Sequence, residues 1–229
     1  MKRRVGWFGM LALIGASAVG AGPLASQDLA DFDYENLAFR GFGLQVGTLF
    51  GTRVESTQTY GVRMDLGYLG PGLRIVPSVM YWSSEMKRGE VRDLERRVEA
   101  LVDRQSAPGS DPAAVDLGTI AWADLVLGMD GHIVWSVPFG FLSYLGAGVA
   151  AHIQNGSGQS IEGTFVEDLL DSVTAGFNLH GGLEYPVGDH FRLYGSTRYE
   201  ILGDLQYLEL RVGGQIMFGR SNPGEVRQP

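Results

Sequence analysis

Four histidines, His132, His152, His180 and His190, are the side chains of this sequence best suited to move a proton or hold a metal near neutral pH. His132, His152 and His180 share one parity within alternating segments, and Asp130 and Ser196 fall on that parity too. Convergence of a base, a carboxylate and a hydroxyl is what nucleophilic catalysis requires. The remaining parts are missing from the sequence. It contains no cysteine and no G-x-S-x-G turn, and the inward histidines have no tight ligand spacing. The histidines are therefore expected to be hydrogen-bonded members of a polar interior. Neither a cofactor nor a metal is expected.

The charged side chains follow the same parity. Arg63, Asp65, Arg74, Glu184, Arg192, Arg198, Glu209 and Arg211 alternate with apolar residues. A hairpin turning at Val187–Gly188 would set Glu184 against Arg192, and one near Gly203–Asp204 would set Arg198 against Glu209. Asp65 would form a further cluster with Arg63 and Arg74. A structural plug of paired charges is expected here rather than a gate or a proton path.

The elements that must position these groups read as strands. From Leu37 onward, period-two segments recur between turn signals. The clearest is Thr59–Leu69, where Tyr60, Val62, Met64, Leu66 and Tyr68 alternate with Gly61, Arg63, Asp65 and Gly67. Counting the first segment, Phe39–Gly51, there are about eight such segments of roughly ten residues, the size and number of a small membrane barrel. Pro77 within the third predicts a bulge or an unpaired position. Short Pro/Gly turns alternate with longer loops, so both ends of the barrel chain should lie on the short-turn side. The predicted fold is all-β: an eight-stranded antiparallel up-and-down transmembrane barrel over 37–219, with helical insertions in outer loops.

The two faces are told apart by glycine and by aromatics. Most strand glycines sit on the charged face, and a lumen of about eight strands barely accommodates side chains. Aromatics gather at strand ends, as at the two interfaces of a bilayer. Phe42, Tyr68, Trp135, Phe141, Tyr185, Phe191 and Phe218 lie toward the short turns, and Phe50, Tyr60, Tyr81 and Tyr199 toward the loops. The apolar face is thus expected to meet lipid, and no open pore is expected.

The termini complete the domain plan. Residues 1–21 have a basic start and a short apolar run with candidate cleavage sites at Ala18 and Ala21, the pattern of an export signal. A polar lead-in, 22–36, precedes the barrel, and 220–229 is a short periplasmic tail. The net charge of −8 becomes still more acidic once Lys2, Arg3 and Arg4 are removed. That balance excludes nucleic acid as a partner.

With this pattern in place, the chain resembles bacterial outer-membrane β-barrels of the small OmpA/OmpX-like class. The last strand carries the most specific likeness: Arg211, Gly213, Ile216 and Phe218 match, in order, the family's polar-x-Gly-x-x-apolar-x-aromatic assembly signal. The resemblance implies recognition by the barrel-assembly machinery, a bacterial outer-membrane location and contact with outer-membrane lipid. One departure is the tail, which makes the signal internal. Two other functions compete with a structural or interaction role. One is a lipid-modifying barrel enzyme acting on lipid A or phospholipid, although no histidine here begins the H-x-S segment of the deacylase kind. The other is a periplasmic ligand-binding barrel of lipocalin type.

Two outer loops carry helical patterns. The insertion 88–115 spaces Val91, Leu94, Val98 and Leu101 at helical intervals amid dense charge. The loop 156–172 predicts a short helix with Phe165, Leu169 and Leu170 along one side. These helices would pack as a lid over the barrel mouth or offer a surface to a protein partner; the alternative is a solvated, partly disordered loop.

Overall fold

A computed structural model describes residues 37–70, 72–106, 111, 114–203 and 205–218. The expected export signal, lead-in and tail lie outside the described residues. Strands β1 (Gly41–Gly51), β2 (Thr57–Asp65), β3 (Tyr68–Gly70), β4 (Leu73–Glu85), β5 (Ala121–Val137), β6 (Phe141–Ser157), β7 (Ser172–Val187), β8 (Phe191–Leu202) and β9 (Leu205–Met217) form one antiparallel sheet. The sheet closes because β9 pairs with β1, from Gly41↔Met217 to Gly51↔Tyr207, while β2 pairs with β4. Segments β2 and β3 are two parts of one wall position, so the structure is a closed eight-stranded barrel.

Alternation decides which way the wall faces. Along β1 the residues from Gly41 to Leu49 are buried or half-buried at odd positions and exposed at nearly all even ones, and β4 to β9 repeat the pattern. Leu44, Leu145, Val149 and Val212 are all about 60% or more exposed, whereas Arg74, Arg198 and Glu184 are at most 2% exposed. In water this would be inside out. A bilayer reverses the preference, because hydrocarbon welcomes the apolar wall and excludes the charges. The interior of a lipocalin-type barrel, apolar within and polar without, is not what these strands build. No helix among the described residues is long and apolar enough to cross a membrane; the strands do it.

One strand departs from the expected alternation. Gly67 has φ +75, and the ladder shifts register between Tyr68 and Gly70. Tyr68 therefore pairs with Arg74 and points inward, packing against Val134, Leu142 and Tyr144. It does not belong to the outer aromatic ring. An unbroken period of two, extended through a left-handed glycine, gives the wrong face. Pro77 keeps its register opposite Met129 on β5, while on the other side the β2–β4 ladder ends at Arg63↔Ser78, which leaves Pro77 unpaired toward β2, as expected. The other aromatics keep the outward parity. Near the turns, Phe218 packs 5.4 Å from Phe39 and 6.1 Å from Phe42, and Phe141 lies 4.9 Å from Tyr185. Near the loops, Tyr60 pairs directly with Tyr81, and the Tyr199 hydroxyl donates to Gln206 Oε1.

Candidate functional site

The two regions with potential chemistry are the polar lumen and the loop-side mouth above it. The lumen is cleared by glycine. Tyr144 is paired in register with Gly182, and Tyr194 with Gly213. A Cβ at Gly182 would lie 2.7 Å from the Tyr144 ring, so each tyrosine lies flat over a neighbouring glycine. Ring over glycine is a known way to fill the gap a missing side chain leaves in a sheet. The tyrosines in turn carry the next group inward. The Arg63 guanidinium sits 3.3 Å from the Tyr194 ring centroid, and His132 stacks on Tyr144 at 4.4 Å and 5°. Glycine, aromatic and then a guanidinium or an imidazole thus form layers from wall to centre.

Toward the short-turn end, Glu184 is the hub. Its carboxylate accepts from Arg63 (2.9 Å), from Arg74 through both terminal nitrogens (2.6 and 2.8 Å) and from Arg192 (2.8 Å). Asp65 is a second, weaker counter-ion, 3.6 Å from Arg74 and 3.8 Å from Arg192. The expected pairing of Glu184 with Arg192 arises diagonally. The turn is wider than a two-residue one, so Glu184 stands opposite Tyr194 and Arg192 opposite Pro186. Higher up, Arg198 is bound by Asp130 (2.9 Å) and Glu200 (2.7 Å). Arg198 and Glu209 are register partners as expected, yet they do not form the ion pair. Glu209 instead accepts from the Thr59 hydroxyl (2.6 Å) and lies 3.6 Å from Arg211. Register places Cβ atoms, but a long arginine finds its carboxylate across the lumen, which a single hairpin cannot reveal.

The three inward histidines are each committed. His152 is bonded through Nδ1 to Asp124 (2.8 Å), and its Nε2 lies 3.5 Å from Glu200. His180 Nδ1 meets Asn178 Oδ1 at 2.7 Å, and Asn178 donates to Asp130. His132 Nδ1 lies 3.0 Å from Arg74 Nη2. Ser196 lies opposite Arg211 in the ladder, so no histidine is shown with a nucleophile. His190 stands in the β7–β8 turn, apart from the others. Donor atoms of Asp130, His132 and His180 come within 4.8 Å of one another, the compass of a metal ion. The donor chemistry does not fit one. Arginine can only donate, so His132 Nδ1 must accept, and the ring proton then sits on Nε2. Arg198 already occupies Asp130, and Arg74 holds a fixed positive charge beside His132. A divalent ion would have to displace both guanidinium contacts.

The lumen is sealed toward the loops by a different chemistry. Leu49, Met80, Trp82, Trp122, Val126, Leu202 and Tyr207 form an apolar layer above the charges. Helix α1 (Arg88–Gln105) lays Val91, Leu94 and Val98 on that layer, and α2 (Phe165–Leu170) adds Val166 and Leu170. Two expected members are absent. Leu101 is 46% exposed, and the helix stays exposed from there to Gln105; Phe165 is likewise exposed, its place taken by Val166. The side chain of Leu169 lies outside the described residues. Helical spacing marked the correct stripe but could not say how far along it the packing extends. Polar contacts pin the helix down. Lys87 Nζ donates to the carbonyls of Gly51 and Thr52, Arg53 binds Glu90 at 2.8 Å, and Glu95 and Glu99 accept the backbone N–H groups of Leu117 and Val115.

Of the four residues expected to form an assembly signal, Arg211 and Gly213 face the lumen, while Ile216 and Phe218 face outward, on the strand that closes the barrel against β1.

Neither the scan against protein-family models nor the search of curated proteins returned a match. Solved structures do match. Neisserial surface protein A superposes with a TM-score of 0.50 at 15% identity, over 80% of this chain and all of that one. The N-terminal β-barrel domain of Pseudomonas aeruginosa OprF gives 0.47 at 12% identity over 78% and 97%. The Yersinia pestis attachment invasion locus protein Ail gives 0.47 at 9% identity over 80% and 100%. The fold is that of the small bacterial outer-membrane barrels, and the apolar wall is the surface such a barrel turns to hydrocarbon.

Proposed function

We propose that this chain, an outer-membrane β-barrel by fold and by surface, works in the bacterial outer membrane as a structural or interaction protein rather than as a pore or an enzyme. The observation that carries this reading is the filling of the lumen. Paired charges occupy its length from Asp65 to Glu209, and an apolar layer with two helices covers the loop-side mouth. An eight-stranded wall leaves room for side chains and little else. Catalysis is disfavoured because the three inward histidines are each tied to a carboxylate, an amide or a guanidinium. Contact with the surroundings then falls to the wall, which meets lipid, and to the outer loops, where α1 could meet a protein partner. Residues Arg211, Gly213, Ile216 and Phe218 are read as the signal for the assembly machinery.

Planar-bilayer recording tests this proposal. Purified barrel should give no stepwise conductance, and a variant lacking Gly89–Gln105 should still give none, because the charge network remains beneath the lid. Regular channel steps from the intact protein would refute it.

A further inference from the structure

The upper lumen holds a histidine between two carboxylates. His152, Asp124 and Glu200 come from β6, β5 and β8, and all three are fully buried. Asp124 Oδ2 lies 2.8 Å from Nδ1 of the ring, and Glu200 Oε1 lies 3.5 Å from Nε2. The second contact exists because residue 176 is glycine. A Cβ there would stand 2.6 Å from both Glu200 Oε1 and His152 Nε2, in the space where the two atoms meet. The ring also meets Tyr207 of the apolar seal edge-on, with centroids 6.5 Å apart. Its partner on β7, Thr174, brings no charge. Glu200 Oε2 binds Arg198, which is shared with Asp130, and Arg211 stands 3.6 Å from Glu209. Among the described residues, four buried carboxylates, of Asp124, Asp130, Glu200 and Glu209, thus share the two guanidiniums of Arg198 and Arg211.

A carboxylate only accepts, and a neutral imidazole has a single N–H. A neutral His152 would therefore turn a lone pair toward one of its two carboxylates. Asp124 would fare worst, because its Oδ1 has no partner and among the described residues it meets no cation but this ring. Burying a carboxylate without a counter-ion is far costlier than burying a neutral group. We infer that Asp124, His152 and Glu200 form a proton-binding site, and that the bound proton makes His152 an imidazolium clamped between the two carboxylates. Both contacts then become charge-assisted, and Asp124 gains its counter-ion. The proton sits on the ring rather than on Asp124 because imidazole is the stronger base. It extends the ion-pair network up to Tyr207, at the underside of the seal. His132 and His180 differ, since a guanidinium donor and an amide oxygen are each satisfied by a neutral ring.

The test uses the full barrel in lipid nanodiscs with isotope-labelled histidine, read at neutral pH by nitrogen–proton correlation NMR of the imidazole rings. His190, exposed in the β7–β8 turn, loses its N–H signals to exchange with water. The three buried rings should then give four N–H correlations with the proton bound and three without it. His152→Gln assigns the signals, and two of the four should vanish with it. Asp124→Asn keeps the shape of the site and removes one charge. An amide can donate to Nδ1, so a ring with its one N–H on Nε2 suffices, and His152 should fall to a single correlation. A ring that merely filled space would keep its protonation in that variant. Heat-modifiable gel mobility shows which variants fold, and the count from the parent protein decides the matter if neither does. The spectrum reads the ring and not conductance, so its outcome is separate from that of the bilayer recording. The inference is overturned by three correlations from the parent protein, as when the proton sits on Asp124 or is not bound, or by two from His152 in folded Asp124→Asn.

Discussion

Replacing Glu184 with glutamine keeps the shape of the hub and removes its charge. In the native lumen three guanidiniums, of Arg63, Arg74 and Arg192, face two carboxylates, of Glu184 and Asp65. Glu184→Gln leaves three positive charges against one carboxylate, and that one stands 3.6 and 3.8 Å from its nearest arginines. Removing one partner of a buried ion pair typically costs about 3–5 kcal/mol. With a urea dependence of about 2–3 kcal/mol per molar, the unfolding midpoint should fall by roughly 1–2 M. The assay is urea titration of the barrel in lipid vesicles, with the folded fraction read from heat-modifiable gel mobility. The double variant Glu184→Gln/Arg192→Gln returns the cluster to two cations and one anion, so it should be more stable than Glu184→Gln alone. Exchanging the two charges, as a simple pair would tolerate, should not rescue folding, because an arginine at position 184 would still face Arg63 and Arg74. A midpoint for Glu184→Gln within about 0.3 M of the parent protein, or a double variant no better than the single one, would refute this account of the hub.

Other substitutions probe the wall, the glycines and the lid. Gly213→Ala puts a methyl group against the Tyr194 ring and should cost about 1–3 kcal/mol, whereas at Gly195 the nearest atom is 3.9 Å away and alanine should be neutral or slightly stabilising in the same titration. Val149→Arg, on the outward face of β6, should cost about 2–4 kcal/mol in lipid, while photolabel delivered from the acyl-chain region should mark Leu183 and spare Glu184 in the intact barrel. Val98→Asp should free α1 from the apolar layer, seen as faster tryptic cleavage within Arg88–Gln105 while the barrel keeps its heat-modifiable mobility; unchanged cleavage would show that the helix is held by its polar pins alone.

Much of this molecule was legible before its coordinates. Strand alternation is local, with a period of two, so the outward set Leu44, Val149 and Leu183 and the inward set Arg63, Asp130 and Glu184 could be read from neighbours in the chain. The abundance of glycine on the inward set fixed which face was crowded, and the turn residues fixed where the chain reversed. Helical spacing likewise exposed α1 through Val91, Leu94 and Val98. What stayed hidden depends on atoms far apart in sequence. Tyr68 changes face because one left-handed glycine resets the ladder. Arg198 abandons its register partner Glu209 for Asp130, 68 residues away. Leu101 is exposed although it keeps the helical spacing of Val91, Leu94 and Val98. Side-chain direction is a property of the backbone's short period, so sequence determines it. Which charge meets which, and what space is left over, follows from closing the sheet, and only the closed barrel decides it.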